Sequence, residues 1–223
     1  MWMKHYKLDE HEQKLLDMSR EEFDKYMMEN YPDQFKKRRV EEGQQVIYPM
    51  NFGFEIGKGW RHVLDSLCSK LKIIQGLTGY VCVFDQIKEK FGGARFYAHT
   101  ELMEGKEESP DAKQIDDIID TLVNRYEEYC DYVCEELGTN IHSEEKVTVG
   151  GWYYGMGIEG FKKSAKEAWP DTYENRIEMA EKNVARKQKE KHLREQMYRF
   201  TVEEIDVLNE MMEELIQKKK GEK

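Results

Sequence analysis

The sequence lacks any hydrophobic run near the roughly 18 residues that a membrane-spanning helix needs. Its first residues, MWMKHYKLDEHEQ, have no apolar segment of the kind that a secretory signal carries. Cysteine is scarce, with four in 223 residues, and the four show no dense disulfide framework. These absences exclude a disulfide-stapled scaffold and predict a protein of a reducing cytoplasm, with no membrane as a partner.

Apolar residues are also few. They make up 39% of the chain, below the average of about 45–50% for globular domains. Charged residues reach 36% and the mean hydropathy is −0.86. A chain of this length suits one domain with appendages, so we expect part of it to be extended and solvated.

Negative charge is concentrated in one window. Residues 99–145 contain 15 acidic and three basic side chains, a net charge of −12 in a chain whose total is −10. Such a field repels phosphate, which disfavours direct nucleic-acid binding, and it attracts partners with a basic surface. The competing interpretation is a solubilising helix face with an acidic loop. The candidate partner-binding residues are Asp116, Asp117, Asp120, Glu127, Glu128 and Asp131.

The apolar pattern predicts an α+β fold, with helices packed on a small antiparallel β-sheet. Spacings of three and four between Trp60 and Ile74 indicate an amphipathic helix. Tyr80–Ile87 and Ala94–His99 are rich in β-branched and aromatic residues, so we expect two strands of a hairpin that turns at Gly92-Gly93.

A second long helix is predicted from an apolar stripe that runs from Ile115 to Val133 and includes Ile118 and Tyr129. Gly138 or Asn140 should end this helix. The chain then favours a strand over Lys146–Tyr154 and a short helix over Phe161–Trp169.

The two ends of the chain favour helices. Ser19 and Glu22 have the spacing of a capping box, and the helix that follows should stop near Asn30. Helices from Asp171 and from Thr201 predict a C-terminal helical hairpin that either folds back on the core or forms a homodimer. The predicted parts are an N-terminal helical segment (1–48), an α+β core (49–169) and the hairpin (170–223).

Several segments resemble one family of bacteriophage and prophage proteins. The resemblance covers about residues 31–165. It implies a helix, a hairpin and a second helix that runs into a small zinc ribbon, in the cytoplasm of a bacterial host. It implies no particular reaction. The matching segments are Tyr31-Pro32 with Phe35, FGFEIGKGW at 52–60, LDSLC at 64–68 and QIKEKFGGARFY at 86–97.

The ribbon itself is degenerate in this sequence. Cys130 and Cys134 have a helical spacing rather than that of a zinc knuckle, and no cysteine follows Trp152. Cys130, Cys134 and His142 remain weak candidates for a three-ligand metal site, against two buried cysteines that pack as small apolar residues. The G-x-G-x-x-G run at 155–160 lacks the second strand of a dinucleotide-binding unit, so we expect a turn and no cofactor.

These patterns favour a non-enzymatic, phage-encoded protein-binding factor that inhibits a host or anti-phage defence protein through an acidic surface. One alternative is a small-ligand-binding protein or an enzyme that uses the basic hairpin. Another is a metal-stabilised regulatory module. The ligand-binding residues of the hairpin alternative are Trp60, Lys88, Lys90 and Arg95.

Overall fold

The computed structural model describes residues 7–38 and 49–195, which form six helices and two small sheets. This is the predicted α+β class. None of the helices in these residues is long and apolar enough to cross a membrane. The helices are α1 (Glu10–Asp17), α2 (Arg20–Asn30), α3 (Arg61–Thr78), α4 (Ala112–Cys130), α5 (Ile158–Ala168) and α6 (173–195). The strands are β1 (Phe54–Glu55), β2 (Tyr80–Lys90), β3 (Gly93–Leu102), β4 (Thr148–Val149) and β5 (Trp152–Tyr153).

The main sheet is a long hairpin with a short third strand. β2 and β3 pair antiparallel, as predicted, and Lys90 pairs with Gly93. The turn therefore consists of Phe91 and Gly92, both with positive φ (54° and 75°), one residue earlier than expected. On the other edge, Phe54 of β1 pairs parallel to Ile87. The sheet is therefore mixed rather than purely antiparallel as predicted. The sequence did not reveal β1, because a two-residue strand is too short to leave an alternating pattern.

A first core lies between α1, α2, α3, α4 and the main sheet. The predicted capping box at the start of α2 is confirmed, and α2 ends at Asn30. Aromatic rings connect the N-terminal helices to the sheet: the Phe23–Phe54, Phe54–Phe35 and Phe35–Phe84 centroids are 5.4, 5.1 and 5.2 Å apart. Burial of these large rings contributes to the stability of this core, because each removes a large apolar area from water.

A second core joins the segment after α4 to α5 and α6. Ile177, Ala180 and Val184 of α6 are buried in it, so the apolar stripe of this helix folds back on the chain. The two cores meet near residue 133, and the described parts of the predicted segments 1–48 and 170–223 each share a core with the middle of the chain. The helix predicted from Thr201 lies outside the described residues.

Three local predictions are wrong. α4 ends at Cys130, because Val133 pairs with Asn140 and folds the next residues into a separate turn. The strand expected over residues 146–154 is a small hairpin, because Gly150 and Gly151 form a tight turn with positive φ (60° and 83°). Ile118 and Tyr129, expected in the buried stripe of α4, are exposed.

Candidate partner-binding site

An exposed apolar groove runs between α3 and α4. Ile73 is 61% and Ile118 56% exposed although both line the same groove, and Leu77 of α3 is 81% exposed. The groove has a volume of about 610 Å³. It is lined by Lys70, Ile73, Ile74, Asp117, Ile118, Thr121, Leu122 and Arg125.

The groove exists because each helix carries more apolar residues than the first core covers. On α4 the buried positions include Ile115, Ile119 and Val123, and Ile118 lies beside that stripe. On α3 the buried stripe ends at Leu71, so the later Ile73 and Leu77 continue the apolar surface beyond it. The one feature of the sequence that could have indicated the groove is the unusual width of the apolar stripes on α3 and α4. Helical periodicity alone predicts that all residues of such a stripe are buried.

One of the predicted acidic residues, Asp117, lines this groove, and Asp116 and Asp120 lie in the same turns of α4. Asp117 lines the groove and accepts a hydrogen bond from Lys113 at 3.0 Å. Asp116 and Asp120 have no ion-pair partner among residues 7–38 and 49–195. Burial, followed by the charges of Asp120, Asp85 and Asp116, raises the pKa of the Cys82 thiol to about 12. The first turns of α4 therefore carry a surplus of negative charge, with Lys113 as the basic side chain among three aspartates.

The other three predicted residues are engaged elsewhere. Glu127 accepts a hydrogen bond from the Phe96 N–H (2.5 Å), Glu128 pairs with Arg125 (2.9 Å), and Asp131 pairs with Lys146 (3.0 Å). More of the acidic window is paired in the same way, as Glu101 is with Lys36 and Glu136 with Lys58. The net charge of −12 counted over residues 99–145 leaves out the cations that folding brings to them from distant segments. Residues 99–145 therefore do not form one continuous acidic face.

The basic hairpin does not form a site with Trp60. Lys88 and Arg95 are paired across the strands, and the Lys88 ammonium donates to Gln86 at 2.8 Å. Lys90 is exposed, with its ammonium 5.6 Å from the centroid of the Phe91 ring. Trp60 is fully buried in the first core, where its indole N–H donates to the Val133 carbonyl at 2.8 Å. Its ring is thus unavailable to a ligand at the hairpin surface.

The candidate metal ligands are not grouped. Cys130 belongs to the first core and Cys134 to the second, while His142 is exposed. In the part of the chain that the structure describes, no three His, Cys, Asp or Glu side chains are placed to hold a metal ion. Burial raises the pKa of both thiols above the usual range, so both cysteines are unreactive.

The glycine-rich run serves packing. A Cβ on Gly155 would lie 2.6 Å from the Trp60 ring, and one on Gly160 would lie 2.7 Å from the Cys134 sulfur. Gly157 is the N-cap of α5. Close contact between backbone and neighbouring side chains therefore accounts for Gly155 and Gly160 in the observed fold.

A buried network that the sequence did not reveal centres on Asp65. Its carboxylate accepts hydrogen bonds from Tyr31 (2.8 Å) and Tyr26 (3.0 Å) and contacts His11 Nε2 at 3.1 Å. Burial and the Asp65 charge raise the pKa of Tyr26 to about 12. These side chains come from α1, α2 and α3, so the network joins the N-terminal helices to the first core rather than forming an open site.

Glu135 is a second residue that sequence reasoning missed. Its carboxylate accepts a hydrogen bond from the Gly57 N–H at 3.0 Å, and its backbone carbonyl accepts one from the Gly59 N–H at 2.6 Å. Burial, together with the nearby charge of Glu89, raises its pKa to about 7. Nothing in the spacing of the sequence marks this position, because its environment comes from segments far apart in the chain.

The raised pKa of Glu135 predicts how stability depends on pH. The folded state holds this proton up to about pH 7, whereas the unfolded chain releases it near the ordinary value of 4.5. The contribution of Glu135 to stability should therefore fall as pH rises between these values, by on the order of 3 kcal/mol, and then level off. Glu135→Gln removes the titration and keeps an acceptor for Gly57. Urea unfolding of both proteins across this range should show the difference, and parallel curves would contradict the assignment.

Comparisons with protein-family models, with curated proteins and with solved structures give no match for this chain.

Proposed function

We propose that this chain is a non-enzymatic protein-binding factor that uses the α3–α4 groove and the adjoining carboxylates of α4. The observation that carries the proposal is the exposed apolar groove, in which Ile73 and Ile118 are more than half exposed. Contiguous apolar surface of this kind marks sites of protein interaction, since leaving it in water is unfavourable. The phage resemblance supports a host or anti-phage defence protein as the partner, in the cytoplasm of the bacterial host.

The charges around the groove specify the chemistry of the partner. Asp116, Asp117 and Asp120 lie on the first turns of α4, whereas Lys70 and Arg125 line the groove elsewhere. An amphipathic helix with its apolar face in the groove and lysine or arginine residues against the three aspartates fits this arrangement. The partner surface is therefore apolar in the middle and basic on the side next to α4.

Replacement of Ile118 tests this proposal. We expect Ile118→Glu to reduce recovery of a stoichiometric partner from host lysate by about tenfold or more, because it places a charge in an apolar interface. Leu193→Glu makes the same change at an exposed aliphatic residue of α6 and should leave recovery unchanged. Circular dichroism checks that both variants are folded.

Charge reversal separates the electrostatic contribution. The triple variant Asp116→Lys, Asp117→Lys, Asp120→Lys should weaken capture of the same partner and slow its association, with less effect at high salt. The matched control reverses three exposed acidic residues of α6, Glu174→Lys, Glu178→Lys and Glu181→Lys, and should leave capture unchanged. Unchanged capture by both Ile118→Glu and the triple aspartate variant would refute the proposal.

A further inference from the structure

A pocket opens at the tip of the β2–β3 hairpin, away from the α3–α4 groove. It lies between that tip, the β4–β5 hairpin and α5, and its volume is about 420 Å³. It shares no lining residue with the groove. Its lining residues are Glu89, Lys90, Phe91, Glu135, Trp152, Tyr153, Tyr154, Met156 and Ser164.

Aromatic side chains form the outer wall of this pocket. Trp152 is 67% exposed and Phe91 73%, although both are large apolar residues. Phe91 also has a φ of 54°, a backbone conformation that is costly for a bulky side chain and that clusters at functional positions. The tight turns of the two hairpins thus hold aromatic rings in solvent at the pocket rim.

The ring faces of this wall already contact cations. The Lys90 ammonium lies 5.6 Å from the centroid of Phe91, and the Lys187 ammonium lies 4.6 Å from that of Tyr153. Both distances are within the range at which the negative face of an aromatic ring attracts a positive charge. The Trp152 ring has no such contact among the described residues, so its face is left for a cationic ligand.

Two carboxylates lie on the inner side. Side chains alternate along β2, so Glu89 lies on the same face of the strand as the buried Ile87. Its carboxylate therefore points toward the core, at the place where the pocket opens. It accepts one hydrogen bond from the Gly92 N–H at 2.5 Å, and Glu135 accepts one from the Gly57 N–H. A carboxylate has about four acceptor positions, so both retain capacity for a ligand.

We propose that this pocket binds a guanidinium group, with Glu135 and Glu89 as its counter-ions and the Trp152 ring as the face on which it stacks. A guanidinium is planar, stays charged and donates hydrogen bonds in a fork that matches carboxylates, and it stacks on aromatic rings. Among the described residues that line the pocket, Lys90 is the one basic side chain, and it contacts the outer rim.

Binding is linked to the ionisation of Glu135. A guanidinium favours the ionised carboxylate, so affinity should rise with pH, by at most about tenfold per pH unit below the pKa of about 7, and level off above it. The charged groups that face Glu135 are Glu89 on β2, Glu136 beside it, Lys146 before β4 and Lys90 at the hairpin tip, while Lys58 and Lys163 pair with Glu136.

The test is a titration of the full chain with N-acetyl-arginine amide, in which the NMR signals of the tryptophan indole N–H groups report binding. N-acetyl-citrulline amide, a neutral molecule of nearly the same shape, is the matched control. We expect a saturable shift of the Trp152 signal with the arginine compound at about pH 8, weaker binding at about pH 6, and no saturable shift with the citrulline compound. A parallel titration with free arginine shows whether the α-carboxylate of a free amino acid is accepted or only an arginine within a peptide.

Two variants complete the test. Glu135→Gln should lower the affinity by about tenfold and remove its pH dependence. Trp152→Ala should lower the affinity by about threefold to tenfold, and its binding is measured from backbone amide signals. Glu128→Gln, at a residue outside the pocket, should bind like the parent protein. Equal binding of the citrulline compound, or unchanged binding by Glu135→Gln in a folded protein, would overturn the proposal.

Discussion

Trp60→Ala should lower the free energy of unfolding by about 3–5 kcal/mol, the range for removing a buried aromatic side chain. Trp60 is fully buried, and its loss leaves a cavity and removes the donor to the Val133 carbonyl. The backbone at Gly155 also packs directly on the ring, so the substitution removes a contact between the first core and the turn before α5.

Urea denaturation followed by circular dichroism measures this effect, and Trp152→Ala is its matched control. Trp152 is the same residue type at an exposed position, so its replacement should change stability by less than about 0.5 kcal/mol. A small effect of Trp60→Ala would contradict the burial described here and would reopen a ligand-binding role for that ring. The pair thus separates a structural tryptophan from one that faces a pocket.

Gly59→Ala should destabilise the fold by about 3 kcal/mol or more, through overpacking against main-chain atoms. A Cβ there would lie 2.2 Å from the Cys134 carbonyl oxygen and 2.5 Å from the Gly138 nitrogen. Backbone cannot move aside as a flexible side chain can. Relief of the clash would also break the hydrogen bond from the Gly59 N–H to the Glu135 carbonyl.

Gly76→Ala is the matched control for this second prediction, with the opposite sign. Gly76 lies inside α3 with nothing within 4 Å of an added Cβ. Alanine should therefore stabilise the protein by about 0.5–1 kcal/mol, because glycine is a poor helix residue. Thermal unfolding should show midpoints that move in opposite directions, and a loss of stability in both variants would argue against the open space beside Gly76 and the close backbone contact at Gly59.

The α3–α4 groove and the hairpin-tip pocket can be studied separately, because they share no lining residue. A variant such as Ile118→Glu should leave guanidinium binding unchanged, and Glu135→Gln should leave capture of the protein partner unchanged. Each proposal therefore succeeds or fails on its own measurement.

Local patterns predicted much of the fold. The capping box at Ser19, the apolar stripe of α3 and the alternation of the β2–β3 hairpin each depend on residues close together in the chain, and each is confirmed. The burial of Ile177 and Val184 also follows from their helical spacing. The resemblance to phage proteins remains a prediction.

The site could be predicted only in part. Asp116, Asp117 and Asp120 were grouped from charge alone, and of these three Asp117 lines the groove. Glu127 and Asp131 were grouped with them although folding pairs one with the backbone of β3 and the other with Lys146. The groove itself was missed because Ile118 has the spacing of a buried residue.

Composition, helix caps and apolar periodicity are local properties, so the amino-acid sequence specified the α+β class, the long hairpin and the surplus of negative charge. Three features depend on neighbours distant in the chain: which carboxylates stay unpaired, which apolar residues remain exposed, and why the pKa of Glu135 is raised. Those features follow from desolvation and from charge pairing across segments, and they arise only when the cores assemble.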